Sequence, residues 1–149
     1  MNCMARMRRN NLPKTTEDFY HQFKDAIERA RKQLKNAHEY HASFPVMSRR
    51  FREVKGKCES CGLKIKDDLH HFHTHHRNGD KSDNRPENLQ CLCILCHYGV
   101  DAHHKRKFEK DVRSVEQLKT FLFQRKEDLL KIGNKYLKDR FISEILRSL

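Results

Sequence analysis

Two CxxC pairs, Cys58-Glu-Ser-Cys61 and Cys93-Ile-Leu-Cys96, are separated by 31 residues and constrain this chain more than any other feature. A two-residue gap lets both thiolates of a pair reach one ion from a tight turn, and two such pairs complete a tetrahedral sulfur site. The pattern predicts zinc held by Cys58, Cys61, Cys93 and Cys96. Gly62 follows the second cysteine, where such turns often need a positive φ. Four bound sulfurs leave zinc no open position, so this site is a structural staple. Cys91 competes with Cys93 as a donor, but only Cys93 gives the two-residue gap to Cys96. Cys3 and Cys91 are left as free thiols. Nothing around either pair has the strand–helix context of a thioredoxin-like redox motif.

Composition explains why a staple is needed. Only 36% of the 149 residues are apolar and 35% are charged, so the hydrophobic core is small. Domains that bury little apolar surface usually need a metal or a disulfide. The formal net charge is +12, unevenly spread. Met1 to Lys57 carries 14 basic and 6 acidic residues, Cys58 to His104 carries 5 and 7, and Lys105 to Leu149 carries 13 and 7. A slightly acidic, His/Cys-rich middle between basic arms fits a cation-binding centre whose flanks hold a polyanion, with DNA the first candidate. The plainer reading of each arm is a solvated helical face. No segment approaches the roughly 18 consecutive apolar residues of a membrane span. The start, MNCMARMRRNN, lacks the apolar run of a secretory signal. A soluble, cytoplasmic protein with reduced or metal-bound cysteines is expected, and no membrane partner.

Residues 1–14 are polar and basic and read as a disordered start, and 15–57 as a basic helical arm. Thr15 and Asp18 stand at capping-box spacing, and Phe19, Phe23, Ile27, Ala30, Leu34 and Ala37 form an apolar stripe. Pro45 closes that element, and Arg49, Arg50 and Arg52 make a basic lead-in to the core at 58–104. Residues 105–149 form a C-terminal helical region. Lys105 to Asp111 reads as a charged continuation or linker. Ser114 caps a helix of about Val115 to Ile132, with Leu118, Phe121, Leu122, Leu129 and Leu130 on its buried side. Gly133-Asn134 breaks it, and Tyr136, Leu137, Phe141, Ile142, Ile145 and Leu149 mark a last amphipathic helix. Such stripes serve as core or as a homodimer face.

Between the cysteine pairs run Leu69-His-His-Phe-His-Thr-His-His76 and a loop ending in Pro86-Glu-Asn88-Leu89, followed by Leu92-Cys93-Ile-Leu-Cys96-His97. Taken in order, CxxCG, a His-His pair, Pro-Glu-Asn-Leu and Leu-Cys-x-x-Cys-His resemble the zinc-containing HNH (His-Me finger) endonucleases. The resemblance covers 58–104 and leaves both arms unexplained. It implies an α+β fold, a small zinc-stapled ββα-metal core flanked by N- and C-terminal helices. The residues suit that fold: Leu69 to His76 alternates like a strand, 77–88 has loop composition, and Leu89 to Cys93 makes a second strand. A helix then begins near Cys96, so that His97 and Asp101 share one face, with His104 one turn further.

The resemblance also implies roles. His75 binds the catalytic metal, His76 activates the attacking water, Asn88 braces the loop, and His97 is the second metal ligand. A third family histidine, four residues after the closing one, is replaced here by Asp101, which is either a hard-cation ligand or a surface carboxylate. The chemistry is consistent with this division. An imidazole with a pKa near 6.5 suits proton removal at neutral pH, and a cation neutralises charge on the phosphate. Mg²⁺ or Mn²⁺ is expected, and Ni²⁺ would also serve a nitrogen-rich site. His70, His71 and His73 read as strand surface, phosphate contacts or incidental metal binders, His103 and His104 as DNA-facing or structural, and Asn84 as a turn residue or one that helps to hold the loop. The expected function is hydrolysis of DNA phosphodiesters to 5′-phosphate and 3′-hydroxyl ends. The core reads a phosphate and no base, so RNA stays open as a substrate. The alternative is a non-catalytic zinc module that only binds nucleic acid, which has no need of His75, His76, Asn88 and His97 in register.

Overall fold

The computed structural model describes residues 44–149. The expected disordered start, Cys3 and the stripe from Phe19 to Ala37 lie outside the described residues. The described chain is α+β, with five α-helices and one two-stranded sheet. It divides into two compact units, 44–56 with 74–91 and 57–73 with 92–149.

In the first unit, α1 spans Phe44–Lys55. Pro45 stands in the first turn of this helix, where proline is tolerated because no backbone donor is required, and the element it is expected to close lies outside the described residues. Phe44, Met47, Ser48 and Phe51 are buried at steps of three and four along one face. Ser48 Oγ meets Thr74 Oγ1 at 2.7 Å on strand β1, Phe72–His76. Gly56, at φ 68°, ends the helix with its N–H on Arg52 O. After β1, the loop 77–88 turns back and β2, Leu89–Cys93, pairs with β1.

The second unit begins with a tight turn, where Gly62 N–H donates to Cys58 O and Cys58 N–H to Leu63 O. Gly62 adopts φ 82°, the left-handed conformation expected at this position. The first strand is shorter than the alternation suggests. Leu69–His71 forms a 3₁₀ turn in which the His71 N–H donates to Asp68 O and the Phe72 N–H to Leu69 O, so extended backbone starts only at Phe72. The helix after β2 is also shorter and earlier than expected. α2 covers Ile94–Tyr98 and stops at Gly99, where a Cβ would sit 2.2 Å from the Tyr136 ring.

Asp101 therefore does not share a helix with His97. It is extended backbone, φ −158°, and caps the next helix, α3 (Ala102–Lys110), by accepting from His104 N. The stretch expected as a charged linker is thus helical, anchored by buried Phe108. α4 covers Val112–Lys131 and starts earlier than expected because Asp111, not Ser114, is its cap. Ser114 gives both its N–H and its hydroxyl to the Asp111 carboxylate. Leu118, Phe121, Leu122 and Leu129 are buried on α4, whereas Leu130 is 58% exposed. Gly133 (φ 67°) and Asn134 end the helix, a 3₁₀ turn covers Lys135–Lys138, and α5 is Arg140–Ser148 under an Asp139 cap. The last helix thus starts four residues later than the stripe from Tyr136 suggests.

The core of the second unit gathers Phe72, Leu95, Tyr98, Leu118, Phe121, Leu122, Leu129 and Ile142, each fully buried. Each such side chain contributes about 1.5–3 kcal/mol by leaving water. Arg125 lies inside this unit, bonded to the Asp68 carboxylate, to Asp128 Oδ2 at 2.9 Å and to Lys64 O at 2.8 Å. It ties α4 to the segment that leaves the first cysteine pair.

Candidate metal centres and candidate active site

The sulfur cluster lies within the second unit. The Sγ atoms of Cys58, Cys61, Cys93 and Cys96 all lie within 4.8 Å of one another. Cys61 Sγ and Cys93 Sγ are 3.9 Å apart. Tetrahedral zinc with bonds of about 2.3 Å sets its sulfurs about 3.8 Å apart, so the spacing fits a shared ion and is far too long for a disulfide. Without an ion the cluster does not hold four negative charges: hydrogen bonds from the neighbouring thiols, that of Cys61 first, push Cys58 down, and the bond to Cys58 pushes Cys93 and Cys96 up, toward the neutral thiol. Four thiolates at this spacing would need a cation. Cys93, and not Cys91, completes the set. Asn134, which reads in the sequence only as a helix breaker, donates from Nδ2 to Cys96 Sγ at 3.4 Å.

In the first unit, His76 ends β1 and is only 5% exposed. Its Nε2 lies 2.8 Å from Asn84 Oδ1, and Asn84 is 2% exposed. The amide oxygen is an acceptor only, so Nε2 carries the proton and Nδ1 the lone pair. Burial, acting first, pushes the His76 imidazolium below its ordinary value, and the Phe44 ring packs 5.3 Å away. The sequence shows Asn84 as a turn residue or a brace of the loop, and not as a partner of His76. Position alone cannot show that a loop folds an amide onto a ring eight residues upstream.

Asn88 holds the loop through Asn78 and Asp83. Its Oδ1 accepts from Asn78 N at 3.0 Å, and its Nδ2 donates to Asn78 Oδ1 at 2.9 Å and to Asp83 O at 2.7 Å. Its backbone carbonyl takes the N–H of Arg77. Asp83 in turn binds Arg85 through both carboxylate oxygens at 2.8 Å.

The second unit also collects imidazoles. His73 Nδ1 and His97 Nδ1 are 2.8 Å apart, and the His97 and His104 ring centroids are 5.1 Å apart. One ligand nitrogen of His97 and one of His104 lie within 4.8 Å of each other. Asp101 Oδ1 accepts from His104 N at 2.7 Å and lies 2.9 Å from His104 Nδ1. These contacts, the backbone N–H first, hold the Asp101 carboxyl at about 2. His75 is half-buried on β1. His71 is buried against Phe121, with rings 5.5 Å apart, so it belongs to the core and not to a strand surface. The His70 ring packs against that of His71 at a tilt of 44°, and His103 is exposed.

Comparison with known proteins adds one relative. Over 65 residues the chain is 35% identical to the Zorya protein ZorE of Escherichia coli. The match covers 43% of this chain and 18% of that protein, so the chain spans about a fifth of its relative's length. No protein-family profile and no solved structure matches. No helix among the described residues is long and apolar enough to cross a membrane.

Proposed function

We propose that this chain is a metal-dependent DNA endonuclease of the HNH type. The observation that carries the reading is a buried, oriented histidine in a chain that also carries two chemically distinct donor sets. The all-sulfur set of Cys58, Cys61, Cys93 and Cys96 suits zinc and closes it off. The imidazoles that the resemblance assigns to the second metal, His75 and His97, would leave positions for water and phosphate oxygens and so suit a catalytic divalent ion such as Mg²⁺ or Mn²⁺. His75 stands two residues beyond His73, and alternate strand residues share a face of β1. A cation held there would neutralise charge on the scissile phosphate.

The remaining steps belong to the chain. His76, neutral at physiological pH, takes a proton from the attacking water on Nδ1, while Asn84 holds Nε2–H and fixes the ring. Asn88 ties the two ends of the loop to each other, which keeps Asn84 in place. Lysines and arginines supply affinity through backbone phosphates and carry no sequence information. A likeness confined to 18% of a longer relative is in keeping with a compact module carried on different bodies.

The test is supercoiled plasmid incubated with the zinc-loaded protein, with and without added Mg²⁺ or Mn²⁺. Metal-dependent nicking that leaves 5′-phosphate and 3′-hydroxyl ends is expected. Tight DNA binding with no cleavage under any divalent metal would return the chain to the non-catalytic class.

A further inference from the structure

Resting on the catalytic-metal reading above, we propose that the third ligand of that metal is His104, and that Asp101 is the residue that holds His104 in place. The sequence position alone favours Asp101, because it lies four residues after His97. That argument requires one continuous helix through both residues. The helix instead ends at Gly99, and Asp101 is the extended cap of α3.

The cap geometry then decides between the two side chains. Asp101 Oδ1 is engaged twice by His104, through the backbone N–H at 2.7 Å and Nδ1 at 2.9 Å. That oxygen is committed to its own helix, and Asp101 does not join the group of donors within 4.8 Å that holds His97 and His104. His104 has the ring adjacent to His97, with a ligand nitrogen within 4.8 Å of one on His97. Metal-binding histidines commonly pass their other N–H to a carboxylate or another acceptor, which fixes the tautomer and the ring orientation. Asp101 gives His104 that partner, so a metal would be taken on Nε2. His73 gives His97 the same arrangement, Nδ1 to Nδ1 at 2.8 Å. Two rings brought close, each held by its Nδ1, are a preformed pair of Nε2 donors. His73 and Asp101 are thereby positioning residues.

The test is calorimetric titration of Ni²⁺ into zinc-loaded protein, comparing the parent with His97→Ala, His104→Ala and Asp101→Asn. Asparagine keeps an acceptor oxygen, so the cap and the hold on Nδ1 survive. His104→Ala is expected to weaken Ni²⁺ binding by more than about 100-fold, and Asp101→Asn by about 10-fold or less, the lower end of the range for outer partners. A loss in Asp101→Asn as large as or larger than in His104→Ala would make Asp101 the ligand and overturn the inference. Unchanged binding in both variants would also overturn it. In that case His97→Ala separates the two failures. If it abolishes Ni²⁺ binding, the catalytic-metal reading stands without His104, and if it also binds normally, that reading falls as well.

Discussion

His76 and Asn84 show how much chemistry rests on a single hydrogen bond. Both are almost fully buried, and their bond fixes Nε2 as the protonated nitrogen of His76, so the base we propose is Nδ1. His76→Ala is expected to lower the nicking rate by about 10²- to 10⁴-fold, with zinc content and DNA affinity unchanged. A variant that cuts at the parental rate would remove His76 from the mechanism. Asn84→Ala leaves a buried N–H without its acceptor, which costs about 1–3 kcal/mol, and it also releases the ring. Its rate should fall while KM for DNA holds, and Asn84→Asp, which restores an acceptor oxygen, should recover part of the loss. Equal loss in both variants, tracking stability alone, would reduce Asn84 to a packing residue. At this scale the sequence shows residue types and spacing, which suffice for the four cysteines. It does not show which amide folds back onto which ring, so Asn84 and Asn134 are visible only in the structure.

Elements with a continuous apolar stripe are legible from sequence, and α4 with Leu118, Phe121, Leu122 and Leu129 is the example. α3 is not, because its only buried residue is Phe108 and its start is set by the Asp101 cap. The two ends of α4 fail for local reasons: Asp111 takes the cap from Ser114, and burial of Leu129 turns Leu130 outward. The end of α2 has a testable cause. A Cβ on residue 99 would lie 2.2–2.5 Å from three atoms of the Tyr136 ring. Gly99→Ala must therefore displace that ring and is expected to cost about 1–3 kcal/mol, as overpacking does. In Tyr136→Ala the obstacle is gone, so the same alanine at 99 should cost close to nothing there. Denaturant midpoints for the four proteins of this cycle measure the coupling. Additive losses would mean that Gly99 answers to backbone conformation and not to Tyr136.

Across the whole molecule, two features visible in the sequence, positive charge and paired cysteines, lead to different predictions. Charge counts alone overstate the positive charge that α1 could offer to the DNA proposed as its partner. Arg49 and Arg50 both pair with Glu53, at 3.0 and 2.9 Å, and Arg52 donates to Ser48 O. Glu53→Gln should therefore tighten duplex DNA binding, because it frees two arginines. Neutralising Arg49 and Arg50 should reduce the salt slope by roughly one per lost phosphate contact. No change in either direction would mark α1 as a solvated face. The cysteine pairs should dominate stability. Structural zinc contributes on the order of 10 kcal/mol in small modules, more than a core this limited can replace. Chelating the zinc, or changing Cys58 or Cys96 to serine, should unfold the second unit. Acid should act through the same site. The Asp83 carboxyl is held at about 2, below its ordinary 3.8, by Arg85 first. A lowered carboxyl stabilises the fold above its ordinary value and loses that contribution only as pH falls through about 2. Thiolates competing with zinc for protons respond at much higher pH. Zinc release and loss of helical signal should therefore coincide during acid titration, well above pH 2. Unfolding that begins only near pH 2, or zinc loss that leaves the helical signal and the thermal midpoint intact, would show that the sulfur cluster is not what holds the molecule together.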